Sequence, residues 1–414
     1  MPVPAMPARR ASAIVVLSVV VLSVAGCGPS SSGAGGSKDG AGGKTASSSP
    51  AVKDPRIAVA GPGGKPSYLN PVKLTVTDGT FTSVQVTADD GDKALDGSVA
   101  PDGSSWSSEA PPLPAASFRV TATVKDSSGK VLDKTLTFTA AQVPNDQRVS
   151  FSVTPDDKAT VGIGQPVVVR FATAVTEHAA MEKVMLVTAT APAGQAVTGS
   201  WHWLSNTEVH WRPQVFWTPG TTVHLDMNIA GVKAAADRYG RKNYSETFTI
   251  GASHITQVDG AGHKVQVYRD GKLVDTWPAG TGRPGLETYS GTYVVLGKDA
   301  QIQMDSCSAR VTCDKKNPDY YDEKEFWATR ITASGTFLHA ASWDGRLGRA
   351  NVSHGCIHLS DANAKTFYDN AVPGDVVVVS RTGRGPQERI TSQDPGLYDW
   401  NQTWAAWQAG SALK

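Results

Sequence analysis

The stretch SHGCIHLS, residues 353–360, sets His354, Cys356 and His358 at alternate positions around Gly355, and a further imidazole, His339, stands upstream in GTFLHAASW. A cysteine beside an imidazole can act as a nucleophile, because the thiolate attacks and an imidazolium lowers the cost of forming it. Alternation predicts a strand with His354, Cys356 and His358 on one face. Gly355 would let another backbone approach closely, and the amides around Gly355 and Cys356 are the natural donors to an oxyanion. Two other readings compete. His339, His354, Cys356 and His358 could together ligate zinc, although their spacing matches neither CxxC nor HExxH. Alternatively the strand is only buried core, which would require partners for several imidazoles on one face.

The elements that must position these residues read as mainly β. From residue 55 to about 141, short Val- and Thr-rich runs such as KLTVTDGTFTSVQVTADDG alternate with turn signals at Asp78–Gly79 and Ser128–Gly129. A second block of the same kind follows, including QPVVVRFATAV and GSWHWLSNTEVHWRP. Neither alternates strands with helices, so both fit immunoglobulin-like sandwiches rather than parallel α/β architecture. Trp201, Trp203 and Trp211 in the second block are expected to pack in its interior. The acidic DDGDKALDG, residues 89–97, lacks the ligand spacing of a calcium loop and reads as a solvated turn. In the third block, Asp270–Gly271 between two alternating runs predicts a hairpin. The run Val376–Val379 predicts a strand covered on both faces, and DANAKTFYDN predicts a short helix beginning near Asp361. Trp400, Trp404 and Trp407 fall at helical spacing in the tail, predicting an apolar face docked on the third block, with glycan binding as the alternative.

Formal net charge is +1 over 414 residues, so bulk electrostatics does not point to nucleic acid. Arg9 and Arg10 precede an apolar run from Ala13 to Val24, too short to span a bilayer, and the order is that of an export signal. LSVAGC resembles the lipobox of bacterial lipoproteins, which implies cleavage before Cys27 and acylation of that residue; a plain secretory signal is the alternative. Residues 28–50 are Gly- and Ser-rich and read as a flexible tether spanning on the order of 25 Å. Outside the cytosol neighbouring thiols tend to pair, so Cys307 and Cys313 are expected to form a disulfide, leaving Cys356 alone.

SHGC after an upstream His, preceded by TGRPGLETYSGTYVV and followed by DANAKTFYDNAVPGDVV, resembles the L,D-transpeptidase catalytic domain of the YkuD type over residues 254–381. The whole arrangement is similar to actinobacterial cell-wall enzymes carrying two immunoglobulin-like modules. That resemblance implies a signal at 1–26, a lipidated linker at 27–52, modules at 53–145 and 146–252, a catalytic domain at 253–381 and a tail at 382–414. It implies transfer of an acyl group between peptidoglycan stem peptides by a monomer without cofactor, tethered outside the cell. The donor would be cleaved beside D-alanine, forming a thioester on Cys356 that a second stem's amine resolves into a 3→3 cross-link. His339 corresponds to the general base, oriented by the carbonyl of Ala340; His354 and Gly355 match the motif positions beside the nucleophile. Tyr321 resembles a tyrosine on a lid, Ser334 and Gly335 a substrate-contacting pair, and Met304, Asp305 and Trp343 residues near the pocket. His358 departs from the family's frequent Asn and is expected to meet substrate. A non-catalytic wall-binding lipoprotein is the remaining reading.

Overall fold

The computed structural model describes residues 52–89, 94–309, 311–385 and 395–413. The signal segment, Cys27, the tether, part of the acidic turn at 90–93 and the tail loop at 386–394 lie outside the described residues. The rest is mainly β, with short helices.

Alternating apolar positions in the first block close two facing sheets. Arg56–Val59, Lys73–Thr77, Ser105–Ser108 and Gly97–Val99 form one; Gly79–Ala88, Ser117–Asp126 and Val131–Thr139 form the other. Leu74, Trp106, Phe118 and Val120 fill the space between them. Asp78 takes φ 60 and carries the chain between sheets, so that turn is a crossover, whereas Ser128–Gly129 closes a true hairpin. In the second block Phe151–Thr154, Val167–Phe171, Glu208–Pro213 and Gly199–Ser205 face a sheet of Thr160–Val161, Tyr244–Ile250, Thr222–Met227 and Met185–Thr190. Trp201 and Trp211 lie in its core and Trp203 packs against it.

The third block supplies the scaffold of the site. A five-stranded sheet runs Lys272–Pro278, Lys264–Arg269, His254–Asp259, Val376–Ser380, Gly291–Val294. The valine run lies inside this sheet, paired on both edges, which is why it carries no polar alternation. Asp270 and Gly271, at φ 47 and 77, supply the two left-handed positions of the hairpin turn. Gly297–Asp305, Asp322–Arg330, Phe337–Ala340 and Ile357–Leu359 form a second sheet. The Asp361–Asn370 helix starts where Ser360 accepts from the Asn363 amide, and it buries Ala364 and Phe367 in the core shared by both sheets.

The tail bridges two blocks: its Pro395–Asn401 helix packs along Gly291–Val294 of the third block, as expected, whereas its tryptophan side chains and the Trp404–Gln408 helix pack on the second sandwich. The helical period breaks at Gln402 and Thr403, where Thr403 caps the second helix. Trp407 is fully buried, donates to the Ser200 carbonyl at 2.9 Å and stacks on His202. The Arg212 guanidinium lies 4.7, 5.4 and 4.6 Å from the ring centres of Trp400, Trp404 and Trp407. Asn401 ties the first of these helices to the third block, exchanging two hydrogen bonds with the Thr292 backbone.

Candidate active site

Cys356 does not sit on the strand that alternation predicted. Only Ile357–Leu359 is strand; His354, Gly355 and Cys356 form a bend ahead of it. Gly355 takes φ 130, a conformation costly for any side chain, and so turns the chain out of the pleat. Ser353 locks the bend: its Oγ donates to the Cys356 carbonyl at 2.6 Å and accepts from the Gly355 amide at 3.1 Å. Thr288 donates to the Gly355 carbonyl at 2.8 Å from the opposite wall. The Gly355 amide is therefore committed to the bend. Gly355 contributes conformation to the bend.

His339 projects from the Phe337–Ala340 strand, which pairs in parallel with Ile357–Leu359 and so brings the imidazole beside the nucleophile. Its Nδ1 donates to the Ala340 carbonyl at 2.9 Å and faces Glu325 Oε2 at 3.3 Å. With Nδ1 committed, Nε2 is the nitrogen left to serve the Cys356 sulfur, with which His339 shares the wall of one cavity. Burial pulls the imidazole's pKa down, but the bonds to Cys356 and Glu325 and their charge overcome this and raise it to about 10. The Cys356 thiol also points at the Gly335 carbonyl, 3.8 Å away.

His354 faces elsewhere. Its Nε2 is 3.7 Å from Asp319, which Arg283 also grips, and its ring lies 4.9 Å from that of Tyr321. Burial and the Arg283 charge push its pKa down. His358 is 4% exposed and donates from Nδ1 to Asp344 at 3.0 Å, with its ring edge-on to His339 at 5.0 Å. Burial and the neighbouring His339 charge lower its pKa to about 4, so it stays neutral. These separate bonds disperse the four residues of the zinc reading, and among the described residues no group of three His, Cys, Asp or Glu could hold a metal.

Three cavities converge on the sulfur. The largest, about 740 Å³, is lined by Met304, His339, Trp343, His354 and His358. A second, about 250 Å³, takes in Met304, Asp305, Ser334 and Gly335, and the third runs past Thr288 and Arg384. Tyr321 borders all three, and burial together with negative charge near Cys356 and Asp305 pushes its hydroxyl pKa up. Asp305 is partly spent on structure, accepting from the Cys307 and Ser308 amides at the start of the connection from Gly297–Asp305 to Asp322–Arg330. A disulfide joins Cys307 to Cys313 within that connection, and Cys356 is the free cysteine of the described residues. Trp343 is 63% exposed and covers the His358 ring at the cavity mouth.

A bacterial Ig domain model matches residues 66–233, and the L,D-transpeptidase catalytic domain model matches residues 253–379. L,D-transpeptidase 2 of Mycobacterium tuberculosis is 35% identical over 83% of this chain and 81% of its own length. The chain belongs to the L,D-transpeptidases. L,D-transpeptidase 5 of the same organism is 30% identical over 83% of this chain and 74% of its own. A crystal structure of L,D-transpeptidase 3 from Mycobacterium tuberculosis is 32% identical, covering 56% of this chain and 99% of that one at a TM-score of 0.46.

Several residues of this transpeptidase site left little trace in the sequence. Glu325 lies in the polar run DEKEFW, where only the strand register turns it inward. Asp344, in SWDGR, looks like a solvated turn yet its side chain is fully buried. Ser353 and Thr288 hold the bend by their hydroxyls on its backbone atoms, which residue type does not reveal.

Proposed function

We propose that this enzyme forms 3→3 cross-links between peptidoglycan stems through a thioester on Cys356. The observation that carries the reading is a sulfur at the junction of three cavities, sharing the wall of the largest with an imidazole whose Nδ1 is held by Ala340 and Glu325. Paired with the His339 imidazolium, the thiolate attacks the carbonyl of the third residue of a tetrapeptide stem. The Cys356 amide donates to the oxyanion that forms. Collapse of the tetrahedral species breaks the bond to D-alanine, and His339 gives its proton to the departing amine. Neutral His339 then takes a proton from the side-chain amine of a second stem as that amine attacks the thioester, restoring the thiolate–imidazolium pair.

Separate cavities suit a reaction with two peptide substrates, since donor and acceptor can reach the sulfur by different routes. Tyr321, Ser334, Gly335, Met304 and Trp343 would line those routes. His358 is assigned a positioning part, because its Nδ1 is committed to Asp344 and its ring rests against His339. Glu325 is a second positioning residue and holds the charge on His339. The domain limits at 53–145, 146–252 and 253–381 belong to the same reading, as do acylation of Cys27 and action of a monomer at the outer face of the cell membrane. No described helix is long and apolar enough to cross a membrane.

Incubating the enzyme with purified tetrapeptide stems tests the proposal. The expected products are free D-alanine and a dimer linked through tripeptide stems, both absent with Cys356→Ala. Dimer formation by Cys356→Ala would overturn it.

A further inference from the structure

At the seam between the two sandwiches, two cavities of about 240 and 400 Å³ adjoin, sharing no lining residue with those around Cys356. Arg148, Arg241 and Lys242 line both, and neither is lined by an Asp or Glu. One reaches Val143 on the side of the first sandwich; the other ends on Phe151 and Tyr244 of the second, whose rings meet edge-on at 5.6 Å. Among the described residues none of the three cations takes part in an ion pair.

The groove is built into the junction. Arg148 Nε donates to the Val143 carbonyl at 3.0 Å, and the Val149 amide donates to the Tyr239 carbonyl at 3.0 Å. Tyr239 in turn meets Tyr68 of the first sandwich edge-on at 5.7 Å. Three like charges gathered with no carboxylate in the lining repel one another, and an incoming anion relieves that repulsion at the cationic end, away from Tyr244, whose hydroxyl donates to Glu246. Guanidinium forks pair with phosphate through two parallel N–H···O bonds, and a lysine ammonium adds a point charge. A groove with two exposed cations and a half-buried third, ending on an aromatic pair, admits a flexible chain along its length.

We propose that this inter-sandwich groove binds a linear polymer carrying a phosphodiester in each repeat, holding the enzyme on an anionic component of its surroundings independently of the catalytic site. Arg241 and Lys242 are both exposed, so Arg241→Gln/Lys242→Gln removes two charges without disturbing the core. Binding of the full chain to poly(glycerol phosphate), to a polyuronate of equal charge and to anionic phospholipid vesicles is measured by calorimetry and co-sedimentation at low and high salt. Arg148→Gln serves as a second variant. The expected result is binding to the phosphodiester polymer that weakens with salt and falls at least about tenfold in each variant, with turnover of soluble stem peptides unchanged. Equal affinity for the polyuronate, binding confined to vesicles, or wild-type affinity in both variants would overturn the proposal.

Discussion

Replacing Glu325 by Gln keeps the size of a nearly buried side chain and removes its charge from the His339 imidazole, 3.3 Å away. A hydrogen bond to a charged group is worth roughly 1.5–3 kcal/mol. At about 1.4 kcal/mol per pKa unit, its loss moves the imidazolium by about one to two units. The sign follows from the native value: His339 is held protonated up to about 10, with Glu325 contributing to the rise, so losing the carboxylate moves the titration downward. Acylation needs the proton on His339 for the leaving amine, so the alkaline limb of kcat/KM against pH reports that titration. Glu325→Gln should shift the alkaline limb down by about one to two pH units, with a smaller change on the acid side. The assay is D-alanine release from a tetrapeptide stem across the pH range, with circular dichroism confirming an unchanged fold. A uniform loss of rate at every pH, with the limb in place, would refute a charge-holding part for Glu325 and leave it a packing residue.

Gly355→Ala places a side chain at φ 130, where strain costs on the order of 1–3 kcal/mol, although the nearest atom to an added Cβ is 3.9 Å away. Activity should fall far more than the melting temperature, because relaxing the bend displaces Cys356 while the sheets stay intact; equal losses would contradict this. His358→Ala leaves Asp344 buried without its imidazole partner and should destabilise the fold by about 2–3 kcal/mol in urea unfolding. It should also lower kcat more than it raises KM, whereas an effect on KM alone would restore a substrate-contacting part. His210, buried between Asp399 and Glu208, has its pKa pulled down by burial and raised to about 9 by those carboxylates. Stability from that pair is therefore complete below the ordinary His value and is lost as pH rises through about 9. Thermal melts of His210→Gln should lack that loss; an identical alkaline decline in both proteins would place its cause elsewhere.

Much of the scaffold was legible because it follows period and turn chemistry. Asp270–Gly271 announced its hairpin, the valine run its interior strand, and Ser360 with Asp361 the start of a helix. That Cys356 and upstream His339 would meet was legible because few other reasons bring those types together. What escaped depends on three-dimensional partners. Period-2 alternation cannot anticipate that Gly355 leaves the pleat, which separates His354 from Cys356 and His358. Glu325 and Asp344 are carboxylates whose burial is set by register and by a turn folding inward. The three tail tryptophans revealed an apolar face but not its target. That target was fixed by Arg212, a cation of the second sandwich whose partners are aromatic faces.

The central claim is that Cys356 carries the acyl group. Enzyme quenched in acid during turnover of a tetrapeptide stem, digested and examined by mass spectrometry, should show the Cys356 peptide heavier by the stem less D-alanine. Free Cys356 throughout turnover that still yields cross-linked dimer, or the same adduct on another side chain, would contradict the account.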